Sequence, residues 1–235
     1  MRVDTLFADI GYLLDKYDVV GAFMVNVTLT LWAGLLSFFF GAILMFMRVS
    51  PISSLRRGAA AYINIVRNIP LTVVILACSL GLWGQLSVEL ASRDSPDFLS
   101  ENGYRLAILG LSLYTSCFMA EALRSGFNTV PVGQAEAARA IGLRFGQTLR
   151  LVVLPQAVRG SIVPLGNTLI ALAKNTTVVQ AAGVVQAASF MITGIDQNAN
   201  MILAVFTIVS IGWLIIVLPI GLITTFLSKK LGVSR

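Results

Sequence analysis

Between Asp18 and Arg48 the chain runs for 29 residues, Val19 to Met47, without a charged side chain. A helix rises about 1.5 Å per residue, so about 20 residues of this kind cross a hydrocarbon layer about 30 Å thick. The run is too long for the apolar core of a signal peptide. It follows four acidic residues (Asp4, Asp9, Asp15, Asp18) and no basic stretch precedes it, so it reads as a retained membrane span. Composition agrees: 57% of the 235 residues are hydrophobic and 12% are charged, where a soluble domain carries about 25% charge.

Four further stretches fit the same solvent. Asn68 to Val88 is uncharged over 21 residues and is expected to extend backward through Ala59, Ala60 and Ala61. Leu106 to Ala120 has only 15 uncharged residues, so its helix is expected to continue past Glu121 into a protein-lined or aqueous environment. Ser161 to Ala188 holds Asn167, Thr168, Lys174, Asn175, Thr176, Thr177, Gln180 and Gln186, which places it inside a bundle. Met201 to Leu227 is strongly apolar and ends at Lys229 and Lys230.

Basic residues orient such a chain, because cytoplasmic segments collect Lys and Arg. The segment after the first span has Arg48, Arg56 and Arg57 with Arg67 nearby, the segment from Arg124 to Arg159 has five arginines, and the tail has Lys229, Lys230 and Arg235. The N-terminal segment and the Glu89–Arg105 loop each hold two basic and four acidic residues, and the loop after the fourth span has only Asp196. The expectation is an all-α polytopic membrane protein: five transmembrane helices, N-terminus outside, C-terminus inside, residues 1–235 forming one domain. The net charge of +6 is then explained by insertion, and its scattered placement excludes nucleic-acid binding.

Histidine is absent, which removes the commonest general base, the histidine-containing triads and imidazole metal sites. Cys78 and Cys117 lie in apolar runs and read as buried thiols. No metal site is expected. No Gly-Lys pair occurs, so the phosphate-binding loop of a nucleotidase is missing too.

The long cytoplasmic segment, about residues 125–160, carries the densest information. Pro131 suits a first helical turn, Gln134 to Ile141 are good helix formers, and Gly142 can supply a left-handed cap. A second helix is expected from about Arg144 to Leu154, stopped by Pro155. The first helix is thin, with alanines at 135, 137, 138 and 140 beside Glu136 and Arg139. Spacing alone leaves open whether it docks into a partner's groove or is simply a good exposed helix.

Glu136-Ala137-Ala138, three residues, Gly142, nine residues, Val152, one residue, Leu154-Pro155 resembles the EAA motif of permease subunits of ATP-binding-cassette importers, with valine for the usual isoleucine. Other segments resemble the polar amino acid subfamily, of the histidine, glutamine and glutamate type: Arg67-Asn68-Ile69-Pro70-Leu71, with Asn68 for glycine; Ala120-Glu121 with Arg124; Val130-Pro131 with Gly133-Gln134; Leu154-Pro155-Gln156-Ala157; Pro164 with Asn167, one residue closer than usual; and Lys174-Asn175-Thr176.

The resemblance implies a permease without its own motor. Glu136, Ala137, Ala138, Arg139 and Gly142, with Leu154 and Pro155, would form the coupling element that sits on a separate ATPase dimer, where ATP is bound; the chain itself would bind no cofactor. It also implies a second permease subunit, identical or homologous, an extracytoplasmic solute-binding protein and the bacterial cell membrane. The substrate implied is a polar amino acid, glutamate first. Polar groups within the bilayer are costly unless they face a bundle interior, so Lys174, Asn175, Thr176, Asn167 and Thr168 are solute-path candidates, with Arg67 and Glu121 near the cytoplasmic helix ends. The plainer role is helix-helix hydrogen bonding for the Asn and Thr residues, snorkelling to the interface for Lys174, and packing or a gate for Arg67 and Glu121. The rival reading is a stand-alone secondary transporter or channel, which would show inverted repeats or several intramembrane acids, whereas Glu121 is the only acidic candidate near a span.

Overall fold

The computed structural model describes residues 3–231, which are mostly helical, so Arg2 and Arg235 of the charge argument, and the side chain of Asp4, lie outside the described part. Among the described residues ten α-helices follow one another: α1 Val3–Lys16, α2 Val19–Val49, α3 Ser53–Arg67, α4 Leu71–Leu76, α5 Phe98–Phe127, α6 Val132–Ala140, α7 Phe145–Thr148, α8 Leu154–Asn175, α9 Ala187–Gln197 and α10 Ile202–Leu231. Wider π turns continue α4 over Ala77–Gln85 and join α7 to α8 over Leu149–Val153. Tight 3₁₀ turns follow α8 over Thr176–Ala182 and precede α10 over Ala199–Met201.

Among the described residues four continuous stretches are long and apolar enough to cross a membrane: Val19–Val49, Phe98–Phe127, Phe145–Ala182 and Ala199–Leu231. A fifth crossing is available only as a bent pair, Ser53–Arg67 and Leu71–Gln85, which meet at 105°. The second span does not extend backward as one straight helix: Ala59 to Ala61 lie in α3, on the far side of the bend. Pro70 explains the break: it has no N–H to donate, and it drives Ile69 out of the helical region. The amides of Asn68 and Ile69 close α3 on the carbonyls of Ile65 and Val66 at 3.2 Å. The Asn68 side chain donates to the Asn64 carbonyl at 2.6 Å. Asn68 has φ −94°, an ordinary right-handed value that asks for no glycine.

A second correction concerns Pro155, which does not stop a helix. The turn before it widens, so that Leu154 N–H reaches back five residues to the Leu149 carbonyl, and the proline ring enters the first turn of α8, where a missing N–H is tolerated. The helix after Glu121 continues as expected, to Phe127.

Helix α1 is a feature that the sequence reading did not anticipate. Its apolar residues Leu6, Ile10 and Leu13, followed by Tyr17, recur at helical spacing and pack on Val19, Phe190, Ala204, Val205 and Ile208. The four aspartates of this segment had served only to set its orientation and to argue against a signal peptide. Asp18 then begins α2 by accepting the Gly21 amide at 2.9 Å.

The contacts gather into two compact units assembled from interleaved segments, residues 1–34, 70–111 and 172–219 in the first and 35–69, 112–171 and 220–235 in the second. The core of the first is the Leu13, Phe190 and Val205 cluster just described. The second closes around Met45, Ile63, Cys117, Ala120 and Leu123. There α2 and α5 approach so closely that a Cβ on Gly41 would lie 2.6 Å from that of Met119. At Gly126 an added Cβ would strike Ser161 and the Ala157 carbonyl of α8, so small residues set these crossings.

Candidate functional site: an exposed loop helix and a locked polar hairpin

In the second unit, Thr129 Oγ1 turns back to the Gly126 carbonyl at 2.7 Å to end α5, and Pro131 leads directly into α6. The far end of α6 closes by two reversed bonds, Leu143 N–H to the Ala138 carbonyl at 3.1 Å and Gly142 N–H to Arg139 at 3.0 Å. This cap requires a left-handed residue, and Gly142 supplies it with φ +94°. Gln156 at the start of α8 donates to Gln134 Oε1 and to the Val152 carbonyl. Two motif segments 22 residues apart thereby fix α6 against α8.

Of the α6 residues only Ala138 is buried, and Glu136, Ala137 and Arg139 are exposed with Gly142. Three large apolar side chains flank them in the open: Val132 at 73%, Ile141 at 82% and Phe145 at 75% exposure. A polar loop that presents apolar side chains beside an acid and a base has the composition of a docking surface. Leu154 is half-buried and Pro155 exposed, at the foot of the same assembly.

Glu121 stands between Arg48 at 4.0 Å and Arg124 at 3.8 Å, half-buried, as a small ionic bridge joining α2 and α5. Arg67 is exposed at the end of α3. Among the described residues no group of His, Cys, Asp or Glu can hold a metal.

The other candidates lie on α8 and the turn after it. Asn167 and Lys174 are both exposed, two turns apart on the helix, and Asn175 is half-buried. Thr168 returns its hydroxyl to the Pro164 carbonyl at 2.9 Å. Thr176 differs from these. It is fully buried, donates to the Ala173 carbonyl at 2.6 Å and accepts from Asn26 Nδ2 at 2.9 Å, so it has no open edge for a solute.

That bond belongs to a closed network in the first unit that the sequence reading passed over. Asn26, the one amide side chain on α2, also donates to Gln186 Oε1 at 3.0 Å and accepts the Ala187 N–H at 3.0 Å. Gln186 Oε1 takes the Ala188 amide at 2.8 Å as the cap of α9, and its Nε2 donates to the Thr177 carbonyl at 3.1 Å. Asn26, Thr176 and Gln186 are each 0% exposed. Residues 176–186 therefore form a hairpin that turns at Gly183 (φ +80°) and is locked by amides. The sequence did carry a signal: an amide eight residues into a 29-residue uncharged run needs buried partners.

The hairpin forms one wall of an open cavity of about 720 Å³, with Thr177 and Gln180 facing Thr72 of α4, Met191 of α9 and Trp213 of α10. Hydroxyl and amide groups set in an apolar surface are what a small polar solute requires.

Residues 37–233 match the family described as binding-protein-dependent transport system inner membrane component, and the chain belongs to that family. It is 51% identical over 233 residues, 99% of this chain and 100% of the relative, to the glutamate transport system permease protein GluC of Corynebacterium glutamicum. It is 30% identical to the probable glutamine ABC transporter permease protein GlnM of Bacillus subtilis, over 84% of this chain and 86% of that one. The fold is that of an amino acid ABC transporter solved with histidines (TM-score 0.79, 22% identity, 92% of this chain and 96% of the other).

Proposed function

We propose that this chain is the membrane subunit of an ATP-driven importer for glutamate or a closely related acidic or amide amino acid. The observation that carries the reading is the 51% identity with a glutamate permease along essentially the whole chain. The bent pair counts as one crossing, which gives five spans, N-terminus outside and C-terminus inside, in accord with the distribution of Lys and Arg. The chain's place in this reading is the bacterial inner membrane, supported by a family description that names an inner membrane component.

In this reading α6 is the coupling helix. Its exposed Glu136 pairs with a basic group of the ATPase, its thin alanine face enters the groove, and Val132, Ile141 and Phe145 cover the rim. Gly142 sets the angle at which α6 leaves the bundle, and Leu154, Pro155 and Gln156 carry its motion into α8. ATP binds to the partner subunit and this chain holds no cofactor. Two ATPases need two such loops, so a second permease subunit, a copy or a homologue, completes the assembly. An extracytoplasmic binding protein delivers the solute. Lys174, with Asn167, Thr168 and Asn175 on the same helix, lines the path and offers an ammonium group to a substrate carboxylate. Arg67 and Glu121 act at the inner helix ends, where the Arg48–Glu121–Arg124 bridge holds the closed packing.

Uptake of labelled glutamate by cells with and without the chain, with unlabelled amino acids in excess, tests the reading. Glutamate uptake that requires the chain and is suppressed by glutamate, glutamine or aspartate is expected. Glutamate uptake that persists unchanged without the chain contradicts the substrate.

A further inference from the structure

The buried amides Asn26 and Gln186 have no part in the coupling loop or among the solute-path candidates, yet each has both of its polar atoms bonded within the chain and is 0% exposed. Both Nδ2 hydrogens and the Oδ1 of Asn26 are used, by Thr176, Gln186 and Ala187. Both polar atoms of Gln186 are used as well. Such a knot in an apolar setting is maintained only if it fixes a geometry, because any member left unpaired loses a full hydrogen bond. The geometry fixed is that of residues 176–186, whose Thr177 and Gln180 wall the 720 Å³ cavity. Thr177 transmits the constraint: its carbonyl accepts from Gln186, and its hydroxyl donates to the Lys174 carbonyl at 2.9 Å.

We propose that Asn26 and Gln186 are positioning residues for translocation: they hold the Thr177–Gln180 wall, and through it the turn at Lys174, in the one arrangement in which closure of the ATPases moves a solute instead of cycling empty. The inference rests on the importer reading and adds two residues to it. Neither side chain touches the solute, since both are sealed. Their removal therefore leaves the docking loop intact and loosens the link between ATP hydrolysed and amino acid moved.

The test uses the complete transporter in proteoliposomes and reads the ratio of ATP hydrolysed to labelled glutamate imported. A variant that merely folds less well lowers both rates together and leaves the ratio unchanged. Asn26→Leu, which keeps the bulk and removes three hydrogen bonds, is expected to raise the ratio about 5- to 10-fold, and Gln186→Leu similarly. Because both belong to one network, the double variant is expected to be no worse than the more severe single one. In a Cys78→Ala/Cys117→Ala background, Gln180→Cys is expected to be shielded by glutamate from a hydrophilic thiol reagent, and to lose the shielding when Asn26→Leu is added. An unchanged ratio in a properly inserted Asn26→Leu chain overturns the proposal, as do additive effects in the double variant. If Asn26→Leu does not accumulate in the membrane, Thr176→Val removes a single bond of the same knot, and an unchanged ratio there also overturns it. An unmodified transporter that imports no glutamate would instead contradict the importer reading itself.

Discussion

The loop helix α6 and the hairpin 176–186 are both polar interruptions in an apolar chain, yet they handle their polar groups in opposite ways. The hairpin seals its ends: Thr176 and Gln186, together with Asn26 of α2, are buried, each bonded to at least two neighbours within the chain. The loop consumes almost none, leaving Glu136 and Arg139 exposed beside Val132, Ile141 and Phe145. A segment that satisfies itself sets a shape inside the protein. A segment that leaves charge and hydrocarbon in the open is built for a partner, and here the family supplies the reason for one.

If that contrast is right, damage at the loop should abolish function at little cost in stability, and damage at the hairpin should do the reverse in part. The largest effect is expected from Gly142→Asp. A side chain at φ +94° costs about 1–2 kcal/mol and reorients the exit of α6, so uptake should fall below a tenth of normal while the inserted protein remains abundant by immunoblot. Glu136→Arg is expected to lower uptake about 10-fold with no change in thermal stability in detergent, and a charge reversal on the ATPase should restore part of it.

The hairpin counterpart is Asn26→Leu. It strands the Ala187 N–H and frees Gln186 and Thr176, for a loss of about 2–4 kcal/mol, measured as lowered thermal stability of the purified chain. Glu121→Gln should change stability by less than about 1 kcal/mol, because the Arg48 and Arg124 contacts are long and partly solvated. The smallest effect is one of pH. In the 86–97 loop, Arg93 hydrogen-bonds Glu89 at 2.6 Å and holds its carboxyl below the usual carboxylate range. A depressed folded value stabilises above the ordinary carboxylate pKa and is lost as pH falls through the folded one. Thermal stability of the Arg93→Ala chain should thus match the parent in strong acid and fall below it slightly at neutral pH.

The membrane class and the capped loop helix were legible because hydropathy, proline and glycine act locally. Gly142 takes the left-handed cap assigned to it, and α5 runs on past Glu121. The error at Pro155 and the missed bend at Pro70 have one cause. Whether a proline ends a helix depends on the turn in front of it, and a π turn before Pro155 or a capped α3 before Pro70 is a matter of packing that spacing does not reveal. Helix α1 was hidden by its aspartates although its apolar stripe was present. Asn26 and Gln186 are 160 residues apart, so only the fold brings the knot together.

The central claim, that this chain imports glutamate by coupling to an ATPase through α6, is tested most directly in proteoliposomes holding the chain with its ATPase and binding protein. Labelled glutamate should enter with enclosed ATP, should not enter with a non-hydrolysable analogue whatever ion gradient is imposed, and should stop in the Gly142→Asp chain. Uptake driven by an ion gradient without ATP, or undiminished uptake in an inserted Gly142→Asp chain, would contradict it.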